Sequence, residues 1–213
     1  GEHVRKLYAV DVCLSCPGEP VWYVMHKNNP RTPKRDDTMA TKKTSMFTLT
    51  ERVTISAAGT DTFATIDLGS YVDVGDRQAL QIHSVDYIFQ GTAASTTMVA
   101  AMGGSGAIKA QLTDLNRGGL VFANDRALIS SGALNYDIDG FLSRDVDLYP
   151  DNFGKGSDDG RYVVNDQLYV TCRSSAVAGG QAINVTVRVN ASIVTLGAKD
   201  FMAIAIQSTA ADN

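Results

Sequence analysis

Two cysteines three positions apart, Cys13 and Cys16, have the spacing that puts two thiolates on one zinc ion, and His3 and His26 lie outside them. The flanking gaps match no common finger spacing, and no βαβ pattern surrounds the pair for redox chemistry. They read as incidental cysteines in an irregular segment. A second cluster is acidic: Asp137, Asp139, Asp145, Asp147, Asp151, Asp158, Asp159 and Asp166, interspersed with Gly140, Gly154, Gly156 and Gly160. Carboxylates beside flexible glycines suit a hard cation such as Ca2+, but the EF-hand order and its terminal Glu are missing. The expectation is a solvated loop with no metal and no cofactor assigned to the chain; a Ca2+ ion at this loop would have to be shared between subunits.

Nucleophiles and bases are scarce. After Met39 there is one His (His83), one further Cys (Cys172) and one Glu (Glu51), each inside an apparent strand. No G-x-S-x-G elbow, H-E-x-x-H pair or phosphate-binding glycine loop is present. Gly103 to Gly106 joins two apparent strands instead of opening a helix, so it reads as a turn. Cys172 continues the apolar phase of Leu168 and Val170 and is expected to be a small buried hydrophobe. Asn184-Val-Thr186 and Asn190-Ala-Ser192 match the glycosylation pattern, yet they fall where strand alternation already places polar residues. The pairs Asp76-Arg77 and Asp125-Arg126 are surface ion pairs or subunit contacts, and such pairs contribute only about 0–1 kcal/mol. The chain is not expected to be an enzyme.

The elements behind these residues are strands. Phe47, Leu49, Val53 and Ile55 alternate with Thr48, Thr50, Arg52 and Thr54, interrupted only by Glu51. Ile183, Val185, Val187, Val189, Ala191 and Ile193 hold one phase over the longest such run. Further strands are predicted at 62–68, 79–90, 96–101, 107–113, 120–123 and 166–173. Within 79–90 the apolar phase moves from Leu80 and Ile82 to Val85, Tyr87 and Phe89, which predicts a β-bulge or a change of sheet. Turn residues at 58–61, 103–106, 116–119 and 178–181 separate most of these runs. The stretch 137–166 is too punctuated for a strand and reads as one long surface loop, the kind of place where partners are met. After Gly197, a helical turn with Phe201, Ile204 and Ala205 on one side and a strand extension over 203–206 both remain open.

Roughly eight strands with few helical signals predict an all-β sandwich or barrel. The chain has 213 residues, 44% hydrophobic and 20% charged, which suits one large β domain with or without an arm. No apolar run approaches the ~18–20 residues that cross a bilayer, and no signal-peptide pattern is present; neither a membrane-spanning nor a conventionally secreted chain is expected. Three cysteines make no disulfide scaffold.

Composition changes near Met39. The preceding segment holds the single Trp (Trp22) and four of the five prolines. It is either an upstream extension of the reading frame or a genuine irregular arm. Residues 1–43 carry eight bases against five acids, a net +3, so the remainder stands at −7. The expected organisation is a basic, largely irregular N-terminal arm over 1–43, a β-sandwich over 44–207 and a flexible tail over 208–213.

The Lys42-Lys43 arm, the run SYVDVGDRQALQIHSVDYIF from Ser70 to Phe89, and the closing strand from Gln181 to Leu196 followed by KDFMAIAIQS together resemble single jelly-roll coat proteins of small icosahedral viruses of environmental type. The resemblance covers residues 42–207. It implies an eight-stranded antiparallel jelly-roll β-sandwich and self-assembly of many identical subunits into an icosahedral shell enclosing the genome. It further implies non-specific contact with packaged nucleic acid, contact with other capsid proteins, and residence in a virion capsid assembled inside the host cell. On this reading Lys27, Arg31, Lys34, Arg35, Lys42 and Lys43 neutralise phosphates, and Asp145, Asp147, Asp151, Asp158 and Asp159 belong to a subunit-contact loop. The alternative is a carbohydrate-binding or adhesin sandwich. It would need a patch of exposed aromatics, and aromatics make up only 8% of the chain.

Overall fold

The long alternating runs are the parts of this chain that can bury one side and pair on both edges, and they organise the rest. In a computed structural model of the chain, residues 40–91, 105–137, 139, 141–146, 160–175 and 182–210 are described. In chain order the elements are β1 (Ala40–Lys42), β2 (Phe47–Ile55), β3 (Thr62–Asp67), β4 (Gln78–Gly91), β5 (Gly106–Thr113), β6 (Leu128–Tyr136), β7 (Leu142–Val146), β8 (Arg161–Val163), β9 (Gln167–Ser174), β10 (Ile183–Leu196) and α1 (Ala198–Ala210).

Four antiparallel pairs nest inside one another: β2 with β10, β3 with β9, β4 with β8, and β5 with β6. They form one long ribbon folded at the β5–β6 connection. Rolling this ribbon sends successive pairs to alternate layers and creates two new pairings, β10 with β4 and β9 with β5. One sheet therefore runs β2-β10-β4-β8, with β1 beside the far end of β10, and the other runs β3-β9-β5-β6-β7. This is the jelly roll, the double-sheet answer to the problem of exposed strand edges. Eight strands make the nest, and β1 and β7 are additions to it.

The core lies between the sheets. Val53, Ile55, Leu80, Ile82, Ile108, Leu112, Leu168, Val170 and the inward row of β10 are almost fully buried there. The bulge expected in the fourth strand is present: Asn190 faces Ser84 while Ala191 faces Ile82, which leaves His83 without a partner in the ladder. That extra residue lets Leu80 and Ile82 share the core with Val85 and Tyr87.

Several expectations are corrected. Residues 120–123 are not a strand; they lie in a loop folded against the outer side of β5. β6 had no alternation to announce it, because Ser130, Ser131, Gly132 and Ala133 are buried on both faces and need only be small. The stretch 137–166 is not one loop. Free edges of β6 and β4 recruit β7 and β8 from it, through backbone bonds that ask little of side-chain pattern. In the same way Ala40–Lys42, expected to be irregular, pair with β10 as β1. After Gly197 the chain is helical, and α1 runs to Ala210, through the first residues of the expected tail. Its Phe201, Ile204 and Ala205 pack on Ala79, Tyr162, Val164, Val194 and Leu196, a second cluster on the outer side of the first sheet. The run 96–101 lies outside the described residues.

Gly132 of β6 lies directly against the Tyr87 ring of the facing sheet: a Cβ there would meet Tyr87 Cδ2 at 2.7 Å. Gly132→Ala is expected to destabilise the protein by about 1–3 kcal/mol through overpacking, read as a lower urea midpoint at unchanged slope. An unchanged midpoint would mean that β6 does not face Tyr87 as described.

Candidate functional site

The outer side of the first sheet is polar because the alternation of β2 and β10 leaves hydroxyl and amide residues outside. They satisfy one another across strands. Thr48 Oγ1 donates to Asn190 Oδ1 (2.7 Å), Asn190 Nδ2 donates to Ser84 Oγ (2.9 Å), Thr54 Oγ1 donates to Asn184 Oδ1 (2.8 Å), and Asn184 Nδ2 donates to the Gly91 carbonyl (3.3 Å). Both asparagines of the glycosylation-like tripeptides are thus committed to the sheet. Arg188 stands opposite Asp86 in the same register, an opposite-charge pair across strands.

The bulge aims His83 at Ser192, with Nε2 and Oγ 2.8 Å apart. Ser192 has no exposed surface, so no substrate reaches its hydroxyl. Burial, reinforced by the positive charge of Lys42, holds the His83 pKa below its usual value and keeps the ring neutral. The Cys172 thiol is buried in the core as expected, and burial pushes its pKa up to about 12, which leaves it unreactive.

A second region is built by the loop between β5 and β6. Gln111, on the outer side of β5, donates from Nε2 to the Val121 carbonyl (2.9 Å) and accepts from the Val121 amide (2.8 Å). Arg117 pairs with Asp125 at 3.1 Å, and Asp125 Oδ1 accepts the Ala127 amide. The Arg161 guanidinium ties β8 to both ends of the loop: Nη2 donates to Asp114 Oδ2 (3.3 Å) and to the Arg126 carbonyl (2.6 Å). Asn165 Nδ2 adds a bond to the Asp114 carbonyl (2.7 Å). This fastened platform holds Phe122 85% exposed. Other large apolar side chains left outside among the described residues are Met46 before β2, Phe63 on edge strand β3, Val74 between β3 and β4, Phe141 and Leu142 at the start of edge strand β7, and Met202 and Ile206 one turn apart on α1. In strand order β3 and β7 are opposite edges of one sheet.

Of the residues expected to neutralise phosphates, Lys42 is exposed on β1, and Lys43 Nζ donates to Gln78 Oε1 (3.1 Å). Lys27, Arg31, Lys34 and Arg35 lie outside the described residues, as do Cys13, Cys16, His3 and His26. Of the five interface acids, Asp145 sits in β7 opposite Ala133, and Asp147, Asp151, Asp158 and Asp159 lie outside the described residues. Among the described residues no three His, Cys, Asp or Glu side chains converge as metal ligands, and no helix is long and apolar enough to cross a membrane. The exposed aromatics and the Asp114–Arg161–Arg126 group were not singled out from sequence. Phe122 sat in a supposed strand, and nothing in one sequence joins residues so far apart.

No protein-family model matches the chain, and no curated protein does. Among solved structures, the chain is similar to Merkel cell polyomavirus VP1 in complex with GD1a oligosaccharide, at 7% identity and a TM-score of 0.35, over 74% of this chain and 97% of that one.

Burial raises the Asp114 carboxyl above its usual pKa, while Arg161 pulls against the shift. A carboxyl whose folded value lies above its unfolded value contributes stability that is full below the unfolded value and lost as pH rises through the folded one. Asp114→Asn removes this titration. The difference in Tm between the native chain and D114N should therefore move in the native chain's favour as pH falls from neutrality toward about 4. A difference that does not change with pH would refute the raised carboxyl.

Proposed function

We propose that the chain is a coat subunit that self-assembles through sheet edges and loops into a closed icosahedral shell around nucleic acid. The observation that carries this reading is the distribution of exposed apolar side chains on a jelly-roll body. They lie on both edges of one sheet (Phe63; Phe141 and Leu142), on the fastened loop (Phe122) and on the helix over the other sheet (Met202 and Ile206). A module that binds one ligand gathers its apolar surface in one place. A subunit of a closed shell has neighbours on several sides, and each contact is small.

The basic segment supplies the complementary function. Lys42 and Lys43, with Lys27, Arg31, Lys34 and Arg35 before them, would neutralise phosphates by counterion release without reading sequence. The location that follows is a virion capsid assembled in the host cell, with copies of the same chain as main partners. The acidic segment with Asp145, Asp147, Asp151, Asp158 and Asp159 is assigned to subunit contact, and any Ca2+ would be held there between subunits.

Light scattering and negative-stain microscopy of the full chain at low and moderate salt, with and without chelator, test the proposal. Uniform closed particles are expected. Phe141→Ser and Phe122→Ser should each leave stability within about 0.5 kcal/mol, since both side chains face solvent, yet reduce particle yield. A chain that stays monomeric under every condition would overturn the coat reading.

A further inference from the structure

A cavity of about 190 Å3 lies where the second half of α1 meets β8 and the loop between β5 and β6. Asp114, Arg126, Arg161 and Gln207 give it polar walls, and Val164 and Ile204 give it an apolar one. The Asp114 side chain is only 6% exposed. Its Oδ2 accepts from Arg161, but its Oδ1 is buried with no hydrogen-bond partner among the described residues. A buried carboxylate oxygen left unpaired is costly, and a hydrogen-bond donor arriving in the cavity relieves that cost.

The charges restrict what the donor belongs to. Among the described residues that line it, two guanidiniums stand against one carboxylate, so a metal ion or an ammonium group is opposed by the excess positive charge. Arg161 is already engaged. The Arg126 guanidinium is exposed and makes no ion pair or hydrogen bond among the described residues, which leaves it available to an anion. The occupant therefore combines an N–H or O–H donor with a negative group, and presents a face that tolerates Val164 and Ile204. Its size is limited as well: the cavity is smaller than the roughly 300 Å3 at which sites for drug-sized ligands begin.

We infer that this cavity takes the base of one nucleotide of a single strand, with an N–H edge donating to Asp114 Oδ1 and the ring against Val164 and Ile204, while the sugar stays outside and the phosphate meets the exposed Arg126. The inference rests on the reading of the chain as a shell protein that encloses nucleic acid. It draws independent support from position: Ala40, where the basic N-terminal segment joins the sandwich, packs in the same cluster as Val164, Ile204 and Ala205. Lys42, two positions further along β1 and opposite Val194 of the same cluster, would hold a phosphate on this side of the body. A duplex does not qualify, because its base edges are already paired.

The test measures fluorescence anisotropy of a labelled short single-stranded oligonucleotide of mixed sequence, its duplex, and an abasic strand of equal length, over a range of salt concentrations. The native full chain, D114N and Arg126→Ala are compared. The single strand should bind native chain more tightly than the abasic strand or the duplex. D114N should lose roughly tenfold in affinity at every salt concentration with the salt slope unchanged, and R126A should weaken binding and lower the slope by about one. Equal binding of abasic and normal strands to native protein overturns the inference even where D114N does not fold. So does a D114N variant that folds and binds like native, or displacement of the strand by an acidic peptide or a glycan. Microscopy of the same samples keeps the two readings apart. Shells with no base-dependent binding refute the cavity assignment alone, and base-dependent binding without shells refutes the coat reading alone.

Discussion

The rest of the sandwich depends on the single apolar phase of β10. Five alternate residues of this strand, Ile183, Val185, Val187, Val189 and Ala191, have no exposed surface, while Asn184 and Asn190 between them bond across to β2 and β4. A slip of one position would put that whole apolar row in water and the asparagines in the core. Register in the first sheet is therefore set by β10. β10 is the last strand of the nest, and its partners β2 and β4 lie far earlier in the sequence. The fold is correspondingly rich in contacts between residues far apart in sequence, a topology expected to fold slowly.

Two local irregularities let this regular frame close. The bulge at His83 changes which residues of β4 face inward, so one long strand serves the main core through Val85 and Tyr87 and presents Ala79 to the cluster under α1. Gly132 then gives way to the Tyr87 ring from the facing sheet. Bulk on β4 and its absence on β6 are one packing decision recorded at two distant positions. The polar pair His83 and Ser192 is a by-product of the bulge, with both groups satisfied and the imidazole kept neutral by burial.

This explains what a single sequence could and could not reveal. Strands with one wet face, such as β2, β3 and β10, show period two and were legible along with their turns. The bulge was legible too, since a phase change in Leu80, Ile82, Val85 and Tyr87 has few other causes. β6 was hidden because both of its faces are covered, and small residues such as Ser131 and Ala133 carry no period. β7 and β8 were hidden because edge pairing is a backbone transaction. The supposed strand at 120–123 failed for the opposite reason: Leu120, Val121 and Phe122 are apolar, yet Val121 is held by its backbone to Gln111, and Phe122 faces water. Of the residues assigned to phosphate contact, only Lys42 and Lys43 fall within the described part. The Asp114–Arg161 pair joins the loop after β5 to β8, 47 positions on, a proximity that only the fold creates.

Charge constrains how such subunits can meet. Residues 44–213 carry a net −7 and the preceding segment +3, so copies of the body repel one another, and under the proposed coat reading the arms would be drawn to phosphate. Repulsion between exposed charges fades beyond a screening length of about 8–10 Å at moderate salt, whereas apolar burial does not depend on ionic strength in that way. Phe63, Phe122 and Phe141 are therefore placed where they can offset repulsion, at edges and on a fastened loop where neighbouring bodies would first touch. Each such contact is weak alone. In a closed assembly every subunit makes several at once, and association then depends on geometry that lets them form together. On this account the acidic body is a safeguard against premature aggregation. If the proposed shell forms, its closure would become favourable when salt or nucleic acid reduces the repulsion and the apolar edges are brought into contact.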